Sequence, residues 1–217
     1  MAAVIASQSF GDRTRVDLSG FKVAVIATDG FEQEELIEPV KALRQAHAMV
    51  DVISLKTGSI QGFKHLDKGE TVHVDKVLSQ VKSEDYNGLL LPGGAVNADA
   101  LRVVPEAKTF VIAFDQAHKP IAAICHAPWL LISAGLVRGR TLTSYHTIQD
   151  DVMNAGGDWQ DKEVIIDRNW VTSRQPSDLP AFNRAMIELF TQSKAPQEAF
   201  VPADQASGLA GLPTRQR

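Results

Sequence analysis

Val23 to Thr28 is apolar almost without a break, and such a run leaves few folds open. A strand with one wet face alternates apolar and polar residues, whereas an uninterrupted run belongs to a strand covered on both faces. Further strands are expected at Met49 to Leu55, Gly88 to Leu91, Pro120 to Ile124 and Thr141 to Ser144. Helical patterns lie between them. Leu36, Ile37, Val40, Leu43 and Ala46 share one face of a helix over Glu34 to His47, with Pro39 expected to kink or detach its first turn. Helices are also expected over Pro105 to His118, Ala127 to Ala134, Ile148 to Ala155 and Leu179 to Thr191. Strands alternating with helices predict an α/β fold, a mainly parallel sheet with helices on both faces.

Two stretches interrupt the alternation. Gly58 to Val74 reads as a hairpin excursion, and Val164 to Ile166 with Trp170 to Ser173 as a second hairpin. Residues 1–20 carry little periodicity and read as an N-terminal extension, and residues 193–217 read as a C-terminal tail. One domain over residues 21–192 remains. The net charge of −4 gives no general attraction to nucleic acid or to an anionic membrane. No run of about 18 apolar residues offers a membrane span. The first ten residues lack the basic start and apolar stretch of a signal segment, so a cytoplasmic protein is expected.

In a sheet of this kind the working groups collect beyond the carboxyl ends of the strands. Cys125, the sole cysteine of the 217 residues, lies at such an end, followed at once by His126 and a helical pattern. A strand, a sharp turn and a helix expose a nucleophile, and the helix start favours a thiolate. A buried structural cysteine is the other reading; a reactive thiol is the expectation here. Glu32, at the end of the first strand, is expected to point at the sulfur and to shuttle a proton. Glu34 and Glu35 suit a helix start, Glu35 either supporting the same region or staying exposed.

Gly93 and Gly94 either form only a turn or present backbone N–H groups that join His126 N–H as an oxyanion hole. His126 is expected as general base, with packing as the alternative. Tyr145 and His146, at another strand end, are further pocket candidates. The remaining histidines lack ligand spacing, so no metal and no cofactor are expected.

The stretches 22–32, Leu-Leu-Leu-Pro-Gly-Gly (89–94), Ile-Cys-His-Ala-Pro (124–128) and Thr-Ser-Tyr (143–145) carry a resemblance. So do 131–140, 150–157 and 171–180, in the same order. Over residues 21–191 the chain resembles the ThiJ/PfpI superfamily (the DJ-1 superfamily), within it the PfpI-type intracellular cysteine peptidases and general stress proteins. The resemblance implies a flavodoxin-like three-layer sandwich related to class I glutamine amidotransferase domains. It implies Cys125 as nucleophile, Glu32 as its carboxylic partner and His126 as the adjacent histidine. Asp99, supplied by a neighbouring subunit of a homodimer or hexamer, would orient that histidine. Three activities fit the family: a hydrolase of peptides or glycated adducts, a cofactor-free glyoxalase acting on methylglyoxal, and a non-enzymatic redox stress protein oxidised at Cys125. The expected substrates are accordingly small aldehydes, glycated groups or peptides.

Overall fold

The computed structural model of the chain describes residues 16–194. Most of both expected extensions, residues 1–15 and 195–217, lies outside the described residues. The described part of the N-terminal one belongs to the domain: Leu18 is fully buried, and its N–H bonds to Ala46 O at 2.7 Å.

Strand β1 (Lys22–Ile26) runs into the short β2 (Phe31–Glu32) and helix α1 (Gln33–Gln45). Strands β3 (Met49–Ser54), β4 (Ser59–Lys64), β5 (Asp67–His73), β6 (Lys76–Val77) and β7 (Gly88–Leu91) follow. Helices α2 (Ala95–Arg102) and α3 (Pro105–Gln116) precede β8 (Ile121–Ile124) and α4 (Pro128–Ser133). The chain closes with β9 (Thr141–Leu142), α5 (Gln149–Asn154), β10 (Asp158–Trp159), β11 (Val164–Asp167), β12 (Trp170–Ser173) and α6 (Leu179–Lys194).

The central sheet has seven strands in the order β11-β12-β8-β7-β1-β3-β6. Every pair in it is parallel except β11 with β12. The inner strands β1, β7, β8 and β12 are buried on both faces. Alternate residues feed two cores: Val23, Val25 and Leu90 pack with α1 and α6, whereas Ala24, Ile26, Leu89 and Leu91 pack with α3, α4 and α5. This is a three-layer α/β sandwich of the expected kind.

Two local expectations change. Pro39 sits inside a continuous α1: it gives up the one bond to Glu35 O, and its burial with Leu36, Val40 and Leu43 on the core face keeps the helix whole. Helix α2 fills what reads as punctuation after Pro92-Gly93-Gly94. Two helices end on histidine where glycine is usual: His47 (φ 68°) and His118 (φ 54°) take the left-handed conformation. The Ala48→Leu43 and Lys119→Phe114 backbone bonds close those ends in Schellman fashion.

β1 sits between β3 and β7, so the chain crosses over in opposite directions from it. A crevice opens at such a reversal, beyond the carboxyl ends of the strands.

Candidate active site

Cys125 follows β8 directly and holds φ at +62°, a conformation that costs a non-glycine residue about 1–2 kcal/mol. Two backbone bonds hold it there: Cys125 N–H donates to Ser173 O at 3.1 Å, and Tyr145 N–H donates to Cys125 O at 2.9 Å. The bend turns the sulfur toward the crevice. Gly94 N–H and His126 N–H bond to it, and Sγ lies 3.1 Å from His126 Nδ1. The left-handed turn thus lets neighbours i and i+1 pair, which a regular helix or strand forbids.

The carboxyl group at the thiol is Glu35 and not Glu32, which corrects the expectation. Glu32 caps the start of α1 in an extended conformation, and its Oε2 accepts His65 N–H at 3.1 Å. Glu35 lies in the first turn of the helix on the face that packs against the sheet, fully buried, and its Oε2 and the Cys125 side chain flank Gly93 together. Its Oε2 accepts Gly93 N–H at 2.9 Å. The signal was present in the sequence: Glu35 is in phase with Leu36, Pro39, Val40 and Leu43, a carboxyl placed in an apolar stripe.

Electrostatics follow from burial. Desolvation first, then the charge of Glu32, pushes Glu35 up to about 8. Desolvation and the Glu35 charge push the Cys125 thiol well above its ordinary value, against the pull of the Gly94 and His126 N–H groups. Both directions run against the expected thiolate, because enclosure of the sulfur beside a carboxyl favours the thiol form. Burial, then the nearby His146, lowers His126, so its imidazole is neutral at pH 7.

The remaining candidates divide. Gly93 N–H is spent on Glu35, so of the expected oxyanion donors Gly94 and His126 alone reach the sulfur. At Gly94 (φ 88°) a Cβ would collide with the Gly30 carbonyl and with Glu32 N, which only glycine avoids. Tyr145 lines the cavity and stacks on the His126 ring at 4.9 Å between centroids. His146 is exposed and packs on Tyr145 without lining the cavity. Asp99 is exposed on α2.

Asn97, fully buried on α2, escaped sequence reasoning because α2 itself was unread. Its Oδ1 accepts Thr28 N–H at 2.7 Å, and its Nδ2 donates to Pro92 O and Gly93 O at 3.0 Å each. It ties the end of β1 to the loop that presents Gly94. The cavity over the sulfur measures about 840 Å³ and also admits Glu32, Phe63, His65, Val96 and Gln175.

Comparison with known proteins follows the same residues. A DJ-1/PfpI family model matches residues 21–189. Protein/nucleic acid deglycase 2 of Escherichia coli (strain K12) is 44% identical over 170 residues, 77% of this chain and 96% of that protein. General stress protein 18 of Bacillus subtilis (strain 168) is 42% identical over 171 residues, 78% of this chain and 98% of that protein. Among solved structures, Drosophila melanogaster DJ-1beta matches with a TM-score of 0.71 at 26% identity, over 80% of this chain and 95% of that one.

Proposed function

The chain belongs to the DJ-1/PfpI family, and on that premise we propose that it is a cysteine-dependent stress-response hydrolase of the deglycase type, releasing amines from dicarbonyl adducts. The observation that carries the reading is the Cys125 sulfur held between two backbone N–H groups, His126 Nδ1 and the buried Glu35 carboxyl. The names of the E. coli deglycase and the B. subtilis stress protein support it.

For an amine adduct of methylglyoxal, R–NH–CH(OH)–CO–CH3, the steps balance without an oxidant or reductant. The thiol proton passes to neutral His126 Nδ1 and on to the departing nitrogen. The C–N bond breaks as the C–S bond forms at the carbinol carbon. Gly94 and His126 N–H stabilise the negative charge, first on sulfur and then on oxygen. Glu35, held protonated by burial, gives its proton to the carbonyl oxygen as it takes the C–H proton of the carbinol carbon, forming an enediol. It then delivers that proton to the former carbonyl carbon while the carbinol O–H proton passes back to it, leaving a lactoyl thioester and a protonated Glu35. Water cleaves the thioester. The sum is adduct plus water giving amine plus lactate, with the thiol restored.

Cys125→Ala is expected to lower lactate release from a methylglyoxal–arginine adduct by at least about 10³-fold, followed by NMR. Full activity in that variant overturns the reading. Turnover of a fluorogenic peptide with no lactate release assigns the site to peptidase chemistry instead.

The same proposal includes a second copy of the chain. Asp99 is exposed on the helix whose Val96, 67% exposed, borders the cavity. Among the described residues His126 Nε2 has only Thr147 Oγ1, at 3.3 Å, to orient it. Asp99 of a second copy would supply the charged partner. Sedimentation is expected to show a dimer or larger, and Asp99→Asn to lower kcat about tenfold or more with little change in KM. A fully active monomer refutes it.

A further inference from the structure

The cavity over Cys125 is far larger than a three-carbon dicarbonyl requires, so most of its wall must meet the group that the dicarbonyl modifies. The charges on that wall are one-sided. Asp29, Glu32 and Glu35 line it together with the imidazoles of His65 and His126, and no lysine or arginine does. Asp29 is already neutralised by Lys56 and also accepts Gln61 N–H at 2.9 Å. Glu35 is committed on Oε2 to Gly93 N–H, and its Oε1 is buried without a hydrogen-bond partner among the described residues. Glu32 differs from both. It is half-buried, its single hydrogen bond is the His65 N–H on Oε2, and among the described residues no lysine or arginine pairs with it.

A carboxylate held by one backbone N–H at the rim of a cavity without cations is complementary to a positive ligand, and it repels phosphate. We propose that Glu32 is the specificity residue of this cavity, forming an ion pair with a guanidinium or ammonium group, so that cationic side-chain adducts are preferred over neutral or phosphate-bearing ones. The inference rests on the proposed reaction only for what happens after binding. The apolar Phe63, Leu66 and Val96, which line the same cavity, suit the methylene stem that carries such a group.

Alkylation of Cys125 by iodoacetamide, with protection by small probes, tests the binding claim without any turnover. Butylguanidine is expected to protect the wild-type protein at about tenfold or more lower concentration than butylurea, its neutral counterpart, and butanesulfonate to protect least. Glu32→Gln retains an acceptor for His65 N–H and is expected to remove the guanidine advantage. Glu32→Lys is expected to reverse the order in favour of butanesulfonate. Equal protection by butylguanidine and butylurea in the wild type, or an advantage that survives in Glu32→Gln, overturns the proposal. Turnover separates this inference from the reaction it serves. In the wild type, kcat/KM for the arginine adduct should exceed that for the cysteine adduct, and Glu32→Gln should reduce that ratio about tenfold through KM. Guanidine protection with no lactate from either adduct would leave the cation subsite standing and sink the deglycase reading.

Discussion

Glu35→Gln is expected to flatten the dependence of folding stability on pH between about 4.5 and 8, and to make the protein more stable at pH 8. Glu35 has an ordinary value of 4.5 and is raised to about 8 in the fold. Below 4.5 both folded and unfolded chains hold the proton, and burial of the neutral acid carries no ionisation cost. Between the two values the unfolded chain releases a proton that the fold retains. Each pH unit in that window therefore removes about 1.4 kcal/mol from the folded state. The loss approaches about 5 kcal/mol at pH 8 and does not grow beyond it. Glutamine keeps the size and a polar group but has no proton to retain. Urea unfolding of both proteins at pH 5 and pH 8 reads the difference directly. Parallel losses in the two proteins would show that Glu35 does not hold its proton.

Arg140→Ala is expected to destabilise the fold by about 3–5 kcal/mol, because it strands a carboxylate rather than merely deleting a contact. The Arg140 side chain is 7% exposed. Its Nη2 meets Asp115 Oδ1 and Asn169 Oδ1, Nη1 donates to Asp167 O at 3.2 Å, and the guanidinium lies 4.2 Å over the Trp170 ring. Asp115 Oδ1 also accepts Trp170 Nε1–H at 2.9 Å. Without the arginine, Asp115 stays mostly enclosed with its charge uncompensated. Replacing both partners, Arg140→Met with Asp115→Asn, should cost distinctly less than Arg140→Ala alone. Thermal and urea unfolding give the comparison, and additive losses would count against a coupled pair.

Sequence periodicity was sufficient wherever burial alone decides the structure. β1, β7 and β8 are short apolar runs, and nothing but a strand covered on both faces accommodates them. It was insufficient where tertiary pairing does the work. Three of the two-residue strands, β2, β6 and β10, exist because partners lie alongside them, and two residues carry no period. α2 was missed because two of its buried residues are Asn97 and Ala98, neither a strong apolar signal, and because the preceding glycines read as a loop. Within the site, the strand–cysteine–helix context located the sulfur without any coordinates. Choosing between Glu32 and Glu35 needed the direction in which each residue leaves α1. The first faces the hairpin, the second the sheet. The raised thiol was hidden for a related reason: a helix start suggests a lowered value, but how fully the sulfur is enclosed is a property of the packed molecule.

The left-handed bend at Cys125 has a bearing on how such a site can fail. Its two anchors come from elsewhere in the chain, one from the end of β12 and one from the segment after β9. Slackening at either place lets the peptide relax to an ordinary right-handed geometry and swings the thiol out of register with Glu35 and His126. Chemical competence is thereby made conditional on β12 keeping its register beside β8.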